Sequence, residues 1–245
     1  MKIPDQLIDT LRSARRITAL TGAGVSAESG IPTFRQAQTG LWAQYDPTEL
    51  ATPQAFQRDP RLVWEWYTWR RELVAGAHPN PGHTALAAIE SIVSEFALIT
   101  QNVDGLHRQA GSQNIVELHG NIIRSKCFDE DVVIESWPST DQVPPPCPRC
   151  GAHLRPDVVW FGEGLPEHDL AAALHASRNT DVFLSIGTSA LVQPAASLPL
   201  YALQAGVVLI EINPQDTPLT SSASYVLSGP AGEVLPQLVA QVWPN

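Results

Sequence analysis

Gly22, Gly24 and Ala27 form G-x-G-x-x-A directly after an apolar run at residues 17–21. A glycine turn between strand and helix lets backbone amides and the positive helix end approach a pyrophosphate. The same spacing also serves an ordinary strand-to-helix turn. A second group sits where strands would end: Gln101, Asn102 and Asp104 follow the strand-like residues 97–100, and His119 follows residues 115–118. Imidazole titrates near neutral pH and suits proton removal, and α/β sheets carry functional groups at strand C-termini. Asp104 could equally cap a helix, and His107 reads as a structural hydrogen-bonder. A third group lies in the run Trp64-Glu65-Trp66-Tyr67-Thr68-Trp69-Arg70-Arg71. Tyr67 and Arg70 are three apart and share a helix face. A phenol and a guanidinium beside apolar walls make a receptor for a carboxylate, which arginine grips bidentately while staying charged. Arg71 is the candidate for an exposed ion pair.

These groups need a frame. Leu7, Ile8 and Leu11 recur at helical spacing. Further helices are expected near residues 62–74, 83–96, 166–177, 195–205 and 231–242, and strands at 17–21, 97–100, 115–118, 182–186 and 207–212. Strands alternating with helices predict an α/β fold, a mostly parallel sheet with helices on both faces. Residues 30–60 read as loop-rich, and residues 120–157, which hold all three cysteines and a run of prolines including Pro138, Pro144, Pro145, Pro146 and Pro148, as a loop-built insertion. Asp46 has the spacing of a ribose-binding acid but falls in the proline-rich loop rather than at a strand end.

The chain has 245 residues, enough for one large α/β domain with a small inserted module. A formal net charge of -10 disfavours bulk nucleic-acid binding. Three clustered cysteines are a poor disulfide framework and suggest a reducing compartment. No stretch is long and apolar enough to cross a bilayer, and Pro4, Asp5 and Asp9 interrupt any signal-peptide core. A soluble, cytoplasmic protein with no membrane partner is expected.

The glycine turn continues as Gly22-Ala-Gly-Val-Ser-Ala-Glu-Ser-Gly-Ile-Pro-Thr-Phe34-Arg35. Four further motifs follow in order: Thr100-Gln-Asn-Val-Asp-Gly-Leu-His107, His119-Gly120, Val159-Trp-Phe-Gly-Glu163 and Gly187-Thr188-Ser189, with Asn213 after the last long strand. Together they resemble the sirtuin family over residues 16–235. The resemblance implies a single sirtuin-type domain with Rossmann-like parts at 1–33, 78–119 and 158–245. A helical insert would span 34–77 and a small zinc-ribbon-like module 120–157. NAD would lie in the cleft between large and small parts, with acyl-lysine entering opposite. The implied reaction breaks the nicotinamide–ribose bond and transfers the acyl group, giving free lysine, nicotinamide and O-acyl-ADP-ribose.

The resemblance assigns roles by residue. His119 would be the base that takes a ribose hydroxyl proton, with Asn102 and Asp104 at the nicotinamide and ribose. Gly22, Ala23, Gly24, Ser26, Phe34, Arg35, Gln101, Gly187, Thr188, Ser189, Asn213 and Ala231 would complete the NAD contacts. Phe34 would shield the reactive centre, with core filling as its plain alternative. Val159 and Phe161 would bind the substrate peptide at an open strand edge. The Tyr67-x-x-Arg70 pair resembles that of desuccinylase-type (class III) sirtuins and implies a preference for succinyl and malonyl over acetyl lysine. The family's metal pattern is two Cys-x-x-Cys pairs. Here Cys147 and Cys150 form the second, while Cys127 has Glu130 in its partner's place. Zinc would rest on three thiolates plus Glu130 or Asp129. Two other readings remain: mono-ADP-ribosyl transfer, and a non-catalytic NAD or acyl-lysine sensor. Retention of His119, Asn102 and Asp104 speaks against the sensor.

Overall fold

The computed structural model describes residues 2–32 and 45–244. Its central sheet has the order β3-β2-β1-β7-β8-β9. The strands are β1 (Arg16–Thr21), β2 (Glu95–Thr100), β3 (Ile115–Glu117), β7 (Val182–Ile186), β8 (Val208–Asn213) and β9 (Tyr225–Ser228), and every neighbouring pair is parallel. Such strands are buried on both faces and read as nearly unbroken apolar runs. Successive side chains alternate between two cores. Ile17, Ala19, Leu98, Leu184, Ile186, Ile210 and Ile212 face one side. They pack there on α1 (Asp5–Ser13), α6 (Pro81–Ile92) and α10 (Ala231–Val242). Leu20, Ile99, Phe183 and Leu209 face the other side, toward α8 (Glu167–Arg178) and α9 (Leu198–Gln204).

A second body is built from short helices and a small sheet. α3 (Pro47–Leu50), α4 (Pro53–Arg58) and α5 (Pro60–Ala75) each begin with proline after a capping residue, the arrangement that suits a first helical turn. Asp46 is the cap of α3, accepting from the Thr48 amide at 2.8 Å. The antiparallel sheet has the order β5-β4-β6, from β4 (Gly120–Cys127), β5 (Val133–Ile134) and β6 (Leu154–Val158). Phe56, Val63, Trp66 and Tyr67 pack on Ile122, Val158 and Trp160 to form its core.

Several expectations change. The helix placed at 83–96 stops at Ile92, and Phe96 belongs to β2. Val93 is extended and breaks the run, a change that apolar periodicity alone does not register. The region 120–157 is not loop alone, since an eight-residue strand opens it. The stretch 30–60 carries α3 and α4, and β9 closes the sheet edge. Arg71 makes no surface ion pair among the described residues. It donates to the Ile122 and Arg124 carbonyls and to Ser125 Oγ, and lies over the Trp64 ring. The long guanidinium reaches across to the turn of β4, whose bulge between Asn121 and Ser125 presents those acceptors.

Candidate active site

The strand order reverses at β1, which pairs with β2 on one side and β7 on the other. A crevice outside the strand C-termini at such a point is where α/β sheets bind ligands. The two glycines of the turn after β1 are needed for packing. A Cβ on Gly22 would stand 2.8 Å from the Gly187 oxygen, and one on Gly24 would stand 2.7 Å from it. The Gly24 amide donates to that same oxygen at 2.8 Å, and the Gly22 amide to Ile186. These two amides therefore lock the β1 and β7 turns together rather than standing ready for a phosphate. Ala23 is the half-buried residue between them, and α2 (Gly24–Ala27) is a single turn.

From this lock a hydrogen-bonded row runs along the strand ends. His119 Nδ1 meets the Gln101 carbonyl at 3.0 Å. Gln101 Nε2 donates to Thr188 Oγ1 at 3.1 Å, and Asn213 Nδ2 donates to the Thr188 carbonyl at 2.8 Å. Asn102 Nδ2 donates to the Gly22 carbonyl and to Ser26 Oγ. Residues from the ends of β3, β2, β1, β7 and β8 are thereby cross-linked in sheet order. Four strand spacings of about 4.8 Å give a row of roughly 19 Å, a span suited to a dinucleotide rather than a single nucleotide. Ser189 is exposed beside it.

A carbonyl oxygen only accepts, so His119 Nδ1 carries the proton and Nε2 keeps its lone pair. Burial pushes the His119 imidazole below its ordinary 6.5, and the bond to Gln101 opposes this. The site thus holds a neutral imidazole with one free basic nitrogen. Asp104 is buried and does two jobs. Its Oδ1 accepts from the Leu106 amide at the start of α7 (Leu106–Gln109), and its Oδ2 accepts from Ser26 Oγ at 2.7 Å. Burial raises its carboxyl, and those two donors oppose the rise.

Beneath lies a polar layer with two histidines, of which only His107 was expected, as a structural hydrogen-bonder. His83 Nδ1 accepts from the Asn80 amide, so its Nε2 carries a proton toward Ser26 Oγ at 3.4 Å. His107 Nε2 lies 2.9 Å from Thr21 Oγ1, and its ring centre lies 4.7 Å from that of His83, tilted by 53°. Burial pushes His83 down to about 4, and burial with the His83 charge pushes His107 down to about 3. The hint in the sequence was His83 three residues after Asn80, a capping-box spacing.

The remaining candidates divide. Tyr67 is fully buried, and its Oη accepts from Trp160 Nε1 at 3.0 Å. The Arg70 guanidinium lies 4.9 Å from the Trp66 ring centre and 5.7 Å from that of Tyr67. Phe161 is 45% exposed, and Val159 is half-buried. The segment 159–163 is not a strand: the amides of Val159, Trp160, Phe161 and Glu163 donate to His119 O, Glu163 Oε2, Ala51 O and Trp160 O. Ala231 begins α10 with its side chain in the core. Phe34 and Arg35 lie outside the described residues.

Cys127, Glu130, Cys147 and Cys150 converge, with their donor atoms within 4.8 Å of one another. Tetrahedral zinc at about 2.0–2.3 Å from its ligands spaces them about 3.3–3.8 Å apart, so the cluster has the chemistry and size for such an ion. Cys127 and Cys150 sulfurs are 3.4 Å apart. One Glu130 oxygen accepts from Arg149 Nε, leaving the other for a metal. Asp129 is not in the cluster.

A model of the Sir2 family matches residues 22–194. The chain belongs to the Sir2 family. This Sir2 family chain is 51% identical over 240 residues to NAD-dependent protein deacylase 1 of Archaeoglobus fulgidus, covering 97% of each. It is 48% identical over 247 residues to NAD-dependent protein deacylase 1 of Pseudomonas aeruginosa, covering 98% of this chain and 99% of that one. Among solved structures, a Sir2 homologue crystallised as an NAD complex superposes with a TM-score of 0.91 at 50% identity, covering 98% of this chain and 94% of that one.

Proposed function

We propose that this protein removes acyl groups from protein lysines with NAD as co-substrate, and that it favours succinyl and malonyl over acetyl. The observation that carries the reading is the row His119–Gln101–Thr188–Asn213 across adjacent strand ends. It ends on an imidazole whose Nε2 is set to take a proton. The naming of half-identical relatives as NAD-dependent protein deacylases supports the same conclusion.

When bound, NAD supplies the ribose–nicotinamide bond whose cleavage lets the acyl oxygen join the ribose. The chain's own groups do the rest. His119 Nε2 takes the ribose hydroxyl proton. Asn102, fixed by the Gly22 carbonyl and Ser26, and Asp104, fixed by Leu106 and Ser26, hold the nicotinamide and ribose region. Gly22, Ala23, Gly24, Ser26, Gln101, Gly187, Thr188, Ser189, Asn213 and Ala231 are assigned to the nucleotide, with Phe34 and Arg35 closing it. An amide oxygen is a weak nucleophile, so positioning and charge stabilisation dominate.

Tyr67 and Arg70 take the acyl tail. A cation among aromatic rings favours a carboxylate end and gains nothing from a methyl. Val159 and Phe161 flank the incoming peptide. Zinc is assigned to Cys127, Cys147, Cys150 and Glu130 as a structural ion. β4 lies along the five residues of β6, which puts Cys127 about 15 Å from His119, too far to act on a reacting atom. The chain is read as one domain with a Rossmann-like body, a helical insert at 34–77 and the zinc module at 120–157. No helix among the described residues is long and apolar enough to cross a membrane, and a cytoplasmic location suits the free cysteines.

The test is incubation with succinylated, malonylated and acetylated peptides, with and without NAD, followed by mass. NAD-dependent loss of acyl mass, fastest for succinyl or malonyl, is expected. Loss without NAD, or none with it, would overturn the activity; acetyl turning over fastest would overturn the preference.

A further inference from the structure

We infer that the indole N–H of Trp160 determines acyl selectivity, by committing the Tyr67 hydroxyl to act as a donor. The inference rests on the acyl-pocket reading above. Trp160 is 2% exposed and points its Nε1–H at Tyr67 Oη, 3.0 Å away. A phenol offers one proton, which lies in the ring plane on one side of the oxygen or the other. An N–H arriving on one side occupies a lone pair there and drives the proton to the opposite side. Burial pushes the phenol's titration upward, against Arg70 and the Trp160 bond, so the proton stays on. Arg70 can only donate. The polar ends of Tyr67 and Arg70 then both present donors. A carboxylate, which only accepts, matches that pair. An acetyl methyl matches neither.

Trp160 is itself held rigidly, from groups remote from the chemistry. The Arg155 guanidinium lies 3.3 Å from the Trp160 ring centre and is 3% exposed. It grips Glu163 with two bonds of 2.5 and 3.0 Å and donates to the Val158 carbonyl. The same Glu163 carboxylate accepts the Trp160 amide at 2.7 Å. The indole is thus fixed at its face by a buried cation and at its backbone by that cation's counter-ion. It has little freedom to turn its N–H away from Tyr67. Trp160 is therefore a positioning residue that works through a hydroxyl on another element.

The experiment is Trp160→Phe in the full chain, in wild-type and Tyr67→Phe backgrounds, reading kcat/KM on succinyl and acetyl peptides and KM for NAD. The succinyl-to-acetyl ratio is expected to fall about fivefold in the wild-type background, the size of one net hydrogen bond. It should not fall further in the Tyr67→Phe background, and KM for NAD should hold. Equal losses on both peptides, or the same fall without the hydroxyl, would overturn the inference. If Trp160→Phe folds poorly by thermal unfolding, benzothienylalanine at 160 deletes the N–H while keeping ring size. A wild-type protein with no succinyl preference would overturn the pocket reading and this inference together. A preference left intact in Trp160→Phe would overturn this inference alone.

Discussion

Replacing Arg70 with methionine keeps an unbranched apolar stem and removes the cation from the wall formed by Trp66 and Tyr67. The guanidinium's contacts with those rings, at 4.9 and 5.7 Å, are worth about 0.5–2 kcal/mol. They are lost whichever peptide is bound, so they lower stability without changing selectivity. In the proposed pocket, selectivity would come from the substrate's carboxylate. Charge-assisted hydrogen bonds contribute about 1.5–3 kcal/mol, and a desolvated charge deprived of its partner costs about 2–5 kcal/mol. Arg70 is half-buried and burial opposes its charge, so its bond to a carboxylate is expected toward the upper half of the first range. A loss near 3 kcal/mol lowers kcat/KM for succinyl peptide about a hundredfold. Acetyl peptide carries no such group and should lose less than about fivefold. The assay is steady-state deacylation of succinyl, malonyl and acetyl peptides at saturating NAD, with thermal unfolding of each variant alongside. Equal losses on all three peptides would refute the carboxylate-receptor argument.

The His119 imidazole is held below its ordinary 6.5 by burial, and only its neutral form can take a proton. kcat/KM should therefore be flat at neutral pH and fall as pH drops through a value below 6.5; an acid limb centred above pH 7 would contradict this. The depressed His83 and His107, at about 4 and about 3, make folding itself acid-sensitive. The unfolded chain binds both protons first, so stability is lost as pH falls below about 6.5, at up to about 1.4 kcal/mol per unit for each. Urea titrations should show a drop of about 2 kcal/mol per histidine between pH 7 and 5, flattened in His107→Gln, and a midpoint that does not move would count against the buried pair. At the metal cluster, Glu130→Cys supplies a fourth thiolate. Zinc loss to a chelator should slow by at least about tenfold, and an unchanged rate would remove Glu130 from the ligand set.

Much of the sheet was legible because parallel strands buried on both faces leave continuous apolar runs, as at residues 182–186 and 207–212. β9 was not, since Tyr225–Ser228 is a short edge strand with one fully buried residue. β4 was hidden because its pattern is broken by the bulge between Asn121 and Ser125 and surrounded by prolines. In the candidate site, ordered motifs pointed to Gln101, Asn102, His119 and Thr188. They could not say that Gly22 and Gly24 serve contact with Gly187, because that contact is made by a segment some 160 residues away. Trp160 lay inside a motif, but nothing in that motif assigned it a role. Its importance comes from Tyr67, 93 residues distant, and from Arg155, whose role depends on Glu163 in the loop beyond.

Nicotinamide release reports directly on whether acyl-lysine and NAD react together at His119. Wild type and His119→Ala would be incubated with NAD carrying label in the ADP-ribose part, with and without succinylated peptide. Nicotinamide should appear in step with freed lysine, only when peptide is present, with a loss of at least about a hundredfold in His119→Ala. Release that ignores the peptide, label left on protein, or an undiminished His119→Ala variant would contradict that reaction.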